Sequence, residues 1–254
     1  MNIEKMDLTG IKDLDYKILN NLEDRDLVNV CQTSKKADEI CNDQMFWLNR
    51  IMVKFPYLDS EILNRYKYGR SWSEYYINDL RKVNMVDPDI LLYRSARENG
   101  REDFVLIALN NGADINYTGE FVNYTDTPLL MAIRRGNYQV VKLLLDNGAD
   151  PNISDNFGST PLISATHKNN YDMVKLLLDK EADVNLKTVG GLSALQGAII
   201  NSNKNVDINI IRLLLEKGSD PNILSGTNKS MRQYAIINNR PDVDKLLEEY
   251  GGRL

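Results

Sequence analysis

With 254 residues, 43% of them hydrophobic and 26% charged, the chain has the balance of a soluble globular protein and the length for one large domain or two ordinary ones. A formal net charge of -5 and an isoelectric point near 5.1 leave no basic field, so neither nucleic acid nor a membrane surface is expected as a partner. Apolar runs reach only about five residues, too short for a signal-peptide core or a membrane span, and the cytoplasm or nucleus is the expected compartment.

In such a reducing setting Cys31 and Cys41, the only two cysteines, are expected to be buried thiols and not a disulfide. Asn116, Asn123, Asn152 and Asn228 each open an Asn-x-Ser/Thr triplet and are expected to be unmodified turn residues.

The first elements lie between Asp13 and Leu48. Leu14, Ile18, Leu19 and Leu22 share one helical stripe. The acidic residues from Glu23 to Asp26 favour the start of a second helix, continued by Leu27, Val30 and Cys31. A third helix is expected from about Ser34 to Cys41, followed by Trp47. Three helices of about eight to ten residues share too small a core to stand alone. The surplus stripe through Leu19 and Leu27 is therefore an expected docking surface.

The series Ile18-Leu19-x-x-Leu22, Asp26-Leu27, Val30-Cys31 and Phe46-Trp47 resembles the F-box, although Gly10-Ile11-Lys12-Asp13 stands where that family opens with Leu-Pro-x-Glu. The resemblance implies docking onto a Skp-family adaptor of a cullin-RING ubiquitin ligase. Leu14, Ile18, Leu19, Leu22, Leu27, Val30 and Trp47 would then meet the adaptor. Ordinary helical core is the alternative reading of the same residues. This head is assigned to residues 1–50.

Residues 51–86 are expected to form a helical linker. Ser71-Trp72-Ser73-Glu74 reads as a capping box, and Trp72, Tyr75 and Tyr76 are expected to pack the head against the C-terminal domain. A composition shift from Val83 to Pro88 marks the entry to that domain, 87–254.

The domain is periodic. TPLLMAIRRGNYQVVKLLLDNGADPN recurs as TPLISATHKNNYDMVKLLLDKEADVN, with Thr127 and Thr160 33 residues apart and Ser193 another 33 further on. A weaker copy starts at Ser230, with the extra residues in the segment from Asn201 to Asp207, and another weak copy precedes them around Ala96. About five units result, at 87–117, 123–153, 156–186, 189–223 and 226–254.

In each unit Thr127 or Thr160 caps a first helix, with Pro128 or Pro161 at the position that needs no amide donor. Val140, Val141, Leu143, Leu144 and Leu145, and likewise Met173, Val174, Leu176, Leu177 and Leu178, give a second helix one wide apolar face. Gly112, Gly148 and Gly218 suit a helix end at positive φ, with Glu181 replacing the glycine once, and Ala-Asp-x-Asn turns the chain into the next hairpin. One pair cannot cover its own apolar face, so the units must stack. The last unit places Arg232, Gln233, Glu248 and Glu249 at apolar positions, as a solvent-facing cap would.

Thr127-Pro128-Leu129-Leu130-Met131-Ala132 and Thr160-Pro161-Leu162-Ile163-Ser164-Ala165 resemble the ankyrin signature Thr-Pro-Leu-His-x-Ala. The signature histidine, which in the family ties neighbouring repeats by hydrogen bonds, is missing from both copies, so apolar packing is expected to hold the junctions. The order of F-box-like head, aromatic linker and repeats resembles proteins of giant, mimivirus-like double-stranded DNA viruses, which implies action inside a host cell. The expected fold is thus all-α: a three-helix head and helical linker followed by an ankyrin solenoid.

Hairpin tips and exposed first-helix residues are free to recognise a partner in such a stack. Tyr124 lies 33 residues before Phe157, and Arg134 and Arg135 lie 33 before His167 and Lys168. These residues, with Tyr117 and Phe121 in the enlarged first tip and Asn156 beside Phe157, form the expected target-binding surface, suited to an acidic or partly apolar protein segment. Simple packing of hairpin on hairpin is the alternative for Tyr124 and Phe157.

An enzyme is not expected. His167 is the one histidine and falls on an exposed helix end, no Cys-x-x-Cys exists, and SGTNKS (225–230) lacks the glycine and strand of a phosphate loop. No metal or cofactor is expected, and a monomer is. Two functions remain open: a substrate receptor of a Skp-cullin-F-box ligase, or a repeat scaffold that binds or sequesters a host protein without recruiting a ligase.

Overall fold

The computed structural model describes residues 23, 27, 31, 41, 43–56, 58, 63, 71, 75, 76, 80, 86–97, 101–118, 125–200, 207–225 and 228–254. Leu14, Ile18, Leu19, Leu22, Val30, the third head helix from Ser34, Trp72 and most of its capping box, Phe121 and Tyr124 lie outside the described residues. The chain divides into two compact units, Met1–Asp87 and Pro88–Leu254. Among the described residues there is no strand, only an isolated antiparallel bridge between Lys187 and Ser193.

In the first unit the helix α1 (Gln44–Lys54) turns Phe46, Trp47, Arg50 and Ile51 inward and leaves Met52, Val53 and Lys54 outward. It runs unbroken through residue 50. The Trp47 ring lies 5.3 Å from Phe46 and 5.4 Å from Tyr76, and its Nε1 donates to the Cys41 carbonyl at 2.6 Å. Leu27 and Trp47, expected on a docking stripe, are 0% and 2% exposed and belong to this unit's own interior. Tyr75 and Tyr76 are buried in the same unit.

The cysteines correct an expectation. Cys31 and Cys41 are disulfide-bonded, their Cα atoms 5.8 Å apart and well within bridging range. An argument from compartment concerns the redox surroundings and says nothing about whether two thiols meet.

The described second unit is a succession of helix pairs: α2 (Pro88–Arg97) with α3 (Glu102–Asn110), α4 (Pro128–Arg135) with α5 (Tyr138–Asp146), α6 (Pro161–His167) with α7 (Tyr171–Asp179), α8 (Ala194–Ile200) with α9 (Ile208–Glu216), and α10 (Met231–Ile237) with α11 (Pro241–Glu249). First helices pack on first helices and second on second, which gives two layers.

Local chemistry explains the starts of the first helices α4, α6, α8 and α10. Thr127 Oγ1 accepts the Leu130 N–H and Thr160 Oγ1 the Ile163 N–H, both at 3.2 Å, with a proline next in line. Ser193 with Gln196, and Ser230 with Gln233, close reciprocal capping boxes. The second helices α5, α7 and α9 each bury four residues at helical spacing, such as Val140, Val141, Leu144 and Leu145. Leu143 and Leu176 are only half-buried, since five apolar residues in six positions exceed one face. Gly148 ends α5 at φ 92°, whereas Glu181 takes φ 64° at the matching place with a Cβ to accommodate.

The junctions are not purely apolar. The backbone N–H groups of Asn116, Asn152 and Asn222 each donate to the carboxylate of the aspartate two residues earlier, which fixes the turn that carries the asparagine to the junction. Asn116 Oδ1 then accepts the Asp150 N–H at 3.0 Å, Asn152 Oδ1 the Asp183 N–H at 2.7 Å, and Asn222 Oδ1 the Arg253 N–H at 2.9 Å. Asp89 serves Asp114 in the same way. The asparagine of Ala-Asp-x-Asn thus ties repeats where the signature histidine is missing. At the far end Arg232, standing where α4 and α6 have Leu129 and Leu162, pairs with Asp244 and Glu248.

Candidate functional site: hairpin tips and first helices

The hairpins share one frame. The residue five positions before each cap closes its tip by accepting a backbone N–H four residues on: Asp155 from Ser159 at 2.8 Å, Thr188 from Leu192 at 3.1 Å and Ser225 from Lys229 at 3.1 Å. The same three residues donate their own backbone N–H to those partners' carbonyls. Between them the turn passes through positive φ at Gly158, Gly191 or Asn228. At Gly158 a Cβ would lie 2.8 Å from the Val189 nitrogen, so glycine permits the backbone of one tip to touch the next. The Val189 N–H donates to the Phe157 carbonyl at 2.8 Å across that contact.

Arg134 has a different place from the one expected. Its guanidinium holds Asp126 through Nη1 at 2.6 and 2.7 Å and bonds Asp155 through Nη2. Both carboxylates are nearly fully buried, and burial pushes Asp126 above the usual aspartate range while Arg134 opposes the rise. Asp155 Oδ1 meanwhile accepts the Phe157 N–H at 2.8 Å. Arg134 therefore sets the tip that displays Phe157.

Of the other expected residues, Phe157 is 60% exposed and Arg135, Asn156, His167 and Lys168 are also exposed. Tyr117 is half-buried, and Asn156 Oδ1 accepts the Thr125 hydroxyl from the preceding tip. Sequence reasoning passed over Val189, Leu192 and Leu224, large apolar residues exposed by 81%, 40% and 52% at tips. The available signal was an apolar residue inside a loop framed by Ala-Asp-x-Asn or its equivalent and a capping serine. Lys187 and Lys229 are exposed beside them. The described residues of the tips and first helices offer a mixed apolar and cationic surface.

Comparison with known proteins agrees with the geometry. The family of ankyrin repeats (3 copies) matches residues 91–188 and 150–225, more than half of the chain. An ankyrin repeat protein of Acanthamoeba polyphaga mimivirus is 36% identical over 79 residues, 31% of this chain and 47% of that protein. The Arf-GAP with coiled-coil, ANK repeat and PH domain-containing protein 2 of Gallus gallus is 39% identical over 80 residues, 32% of this chain and 10% of its own length. The matched region thus spans about half of the viral relative and a tenth of the avian one. With stacked helix pairs, capped hairpins and matched residues all in one register, the chain belongs to the ankyrin-repeat family.

Proposed function

We propose that this ankyrin protein is the substrate receptor of a Skp-cullin-F-box type ubiquitin ligase, its head binding the host adaptor and its repeats a target protein. The five helix pairs are read as five repeats, the outer two degenerate. The observation that carries the target-binding half is the row of exposed side chains on hydrogen-bonded hairpin tips, for ankyrin repeats serve as protein-interaction scaffolds. The adaptor-binding half is supported by the F-box-like series alone, with Leu14, Ile18, Leu19, Leu22 and Val30 as its contacts. Leu27 and Trp47, which the same series would count as contacts, are buried in the head.

No residue of this chain performs covalent chemistry in such a role. The assembled ligase would gain rate by holding a target lysine near a charged conjugating enzyme, a proximity effect. The viral relative favours a host cell as the place of action. No helix among the described residues is long and apolar enough to cross a membrane.

The second reading, a scaffold that sequesters a host protein, is favoured by the placement of Leu27 and Trp47 inside the head. Co-purification of the full chain with a Skp-family adaptor separates the two. Retention of the adaptor at micromolar protein, lost on Leu19→Ala with helicity unchanged, supports the receptor; no complex supports the scaffold.

A further inference from the structure

In two units a side chain from the hairpin meets one from the first helix. The residue just before the cap faces the residue four places after it: the Ser159 and Ser164 hydroxyl oxygens are 3.1 Å apart, and the Lys229 ammonium lies 5.9 Å from the centre of the Tyr234 ring. In the unit between them the same two places hold Leu192 and Gly197. A Cβ built on Gly197 would meet no atom within 4 Å beyond its own helix, so Leu192 does not fill the space that a side chain there would take. Helix α8 therefore carries an open notch with Leu192 as its wall.

The glycine serves no purpose inside the chain. It lies within α8 without the positive φ that calls for glycine, and no neighbouring backbone crowds it. Only proline is less welcome than glycine in a helix interior. What Gly197 provides is access to the helix surface for a side chain from outside.

The rim of the notch is apolar and cationic. Val189 and Leu192 are exposed on one hairpin, closed by Thr188, and the Val189 N–H bonded to the Phe157 carbonyl brings the neighbouring tip alongside. An ordered rim loses little further freedom when it is covered. Lys187 is bridged to Ser193, the cap of α8, and Lys229 stands before the cap of α10, which packs on α8.

Charge decides what suits such a place. Residues 153–168, 186–200 and 223–237, the last three hairpins with their first helices, contain a single carboxylate, Asp155, and it is buried against Arg134. Arg135, Lys168, Lys187 and Lys229 are exposed on this face, although the chain as a whole has a net charge of -5. The face attracts carboxylates and repels a basic partner. Its cations stand one to a repeat beside an aliphatic notch, which suits a peptide better than the continuous phosphates and stacked bases of a nucleic-acid strand.

Resting on the target-binding surface proposed above, we infer that the notch between Leu192 and Gly197 anchors an acidic protein segment. One apolar side chain of the segment enters over Gly197 and packs on Leu192 and Val189, and Asp or Glu beside it face Lys187 and Lys229.

The test selects displayed random peptides on the full chain and measures them against Gly197→Leu, which closes the notch, and Leu192→Ser, which removes its wall. Expected are acidic peptides with a large apolar residue, weakened about tenfold or more by either variant and by Lys187→Glu combined with Lys229→Glu. Gly197→Leu exchanges glycine for a good helix former, so its thermal midpoint should not fall and the lost binding is a loss of access. Should the midpoint fall, Leu192→Ser alone decides. Peptides that bind both notch variants undiminished but are lost on Phe157→Ser or Arg135→Glu overturn the anchor and leave the binding face standing. Notch-dependent peptides that are basic, or tighter binding of a single-stranded oligonucleotide, overturn the acidic partner. Recovery of no peptide sensitive to any of these substitutions overturns both the anchor and the surface it rests on.

Discussion

The side-chain oxygen of Asn152 accepts the backbone N–H of Asp183, 2.7 Å away and 31 residues on. This bond joins two repeats through an exposed side chain, so its net worth is that of an ordinary hydrogen bond, about 0.5–1.5 kcal/mol. Asn152→Ala should lower the unfolding free energy measured in urea by that amount and speed hydrogen exchange at the Asp183 amide. An unchanged exchange rate there would show the bond to be incidental.

Arg134 is the costlier residue to remove. Arg134→Met leaves Asp126 and Asp155 buried without their guanidinium, and the expected loss is about 3 kcal/mol. Adding Asp126→Asn to the variant should recover part of the loss, because a neutral amide needs no counter-charge. Simple additivity of the two changes in a double-mutant cycle would contradict this coupling.

Two substitutions should stabilise. Glu181 sits at φ 64° where equivalent units have glycine, and Glu181→Gly relieves about 1 kcal/mol, less the entropy glycine adds to the unfolded chain. Thr166 lies 1% exposed where α4 has Ile133 and α8 has Ile199, with its hydroxyl unpartnered among the described residues. Thr166→Val, of the same shape, should raise the thermal midpoint by removing about 1–2 kcal/mol of buried-hydroxyl cost.

The carboxylates should titrate in a defined order. Hydrogen bonds from Lys142 and Lys180 pull Asp146 below the usual aspartate value, about 3.9, whereas burial pushes Asp126 above it. Asp146 thus contributes stability above the ordinary value that is lost as pH falls through its lowered one. Asp126 contributes with the opposite sign, its share present below the ordinary value and lost as pH rises through its raised one. Carboxyl-carbon NMR should find Asp126 protonating at higher pH than Asp146, and the reverse order would refute the assignment.

Reduction should weaken the first unit and spare the second. The disulfide closes a loop of sequence separation 10, worth about 2–3 kcal/mol in the chain-entropy account. Trp47, bonded to the Cys41 carbonyl, gives the readout: its fluorescence midpoint in urea should drop with dithiothreitol and resist change in the oxidised protein.

What the sequence disclosed was what is local. Thr127-Pro128 and the Val-Val-x-Leu-Leu-Leu run act within a turn or two, so helix starts and apolar faces could be read directly. Asn152 could not be, because its partner lies a full repeat away and the residue doubles as an ordinary turn former. Arg134 next to Arg135 looked like a surface pair for the same reason: Asp126 and Asp155 approach it from two different hairpins. Leu27 and Trp47 had the right apolarity for a docking stripe, yet a stripe and a core are made of the same residues, and only the packing of Tyr76 against Trp47 tells them apart.

The tip frame has a bearing on how such a protein can change. Asp155, Thr188 and Ser225 all close their hairpins, so the closure tolerates three chemistries, while the residues displayed between the frame and the cap change from Phe157 in one hairpin to Val189 and Leu192 in the next. The display positions are thereby separated from the fold. A lineage can exchange them, or an engineer can transplant them between repeats, and so retarget the molecule in single substitutions without refolding it.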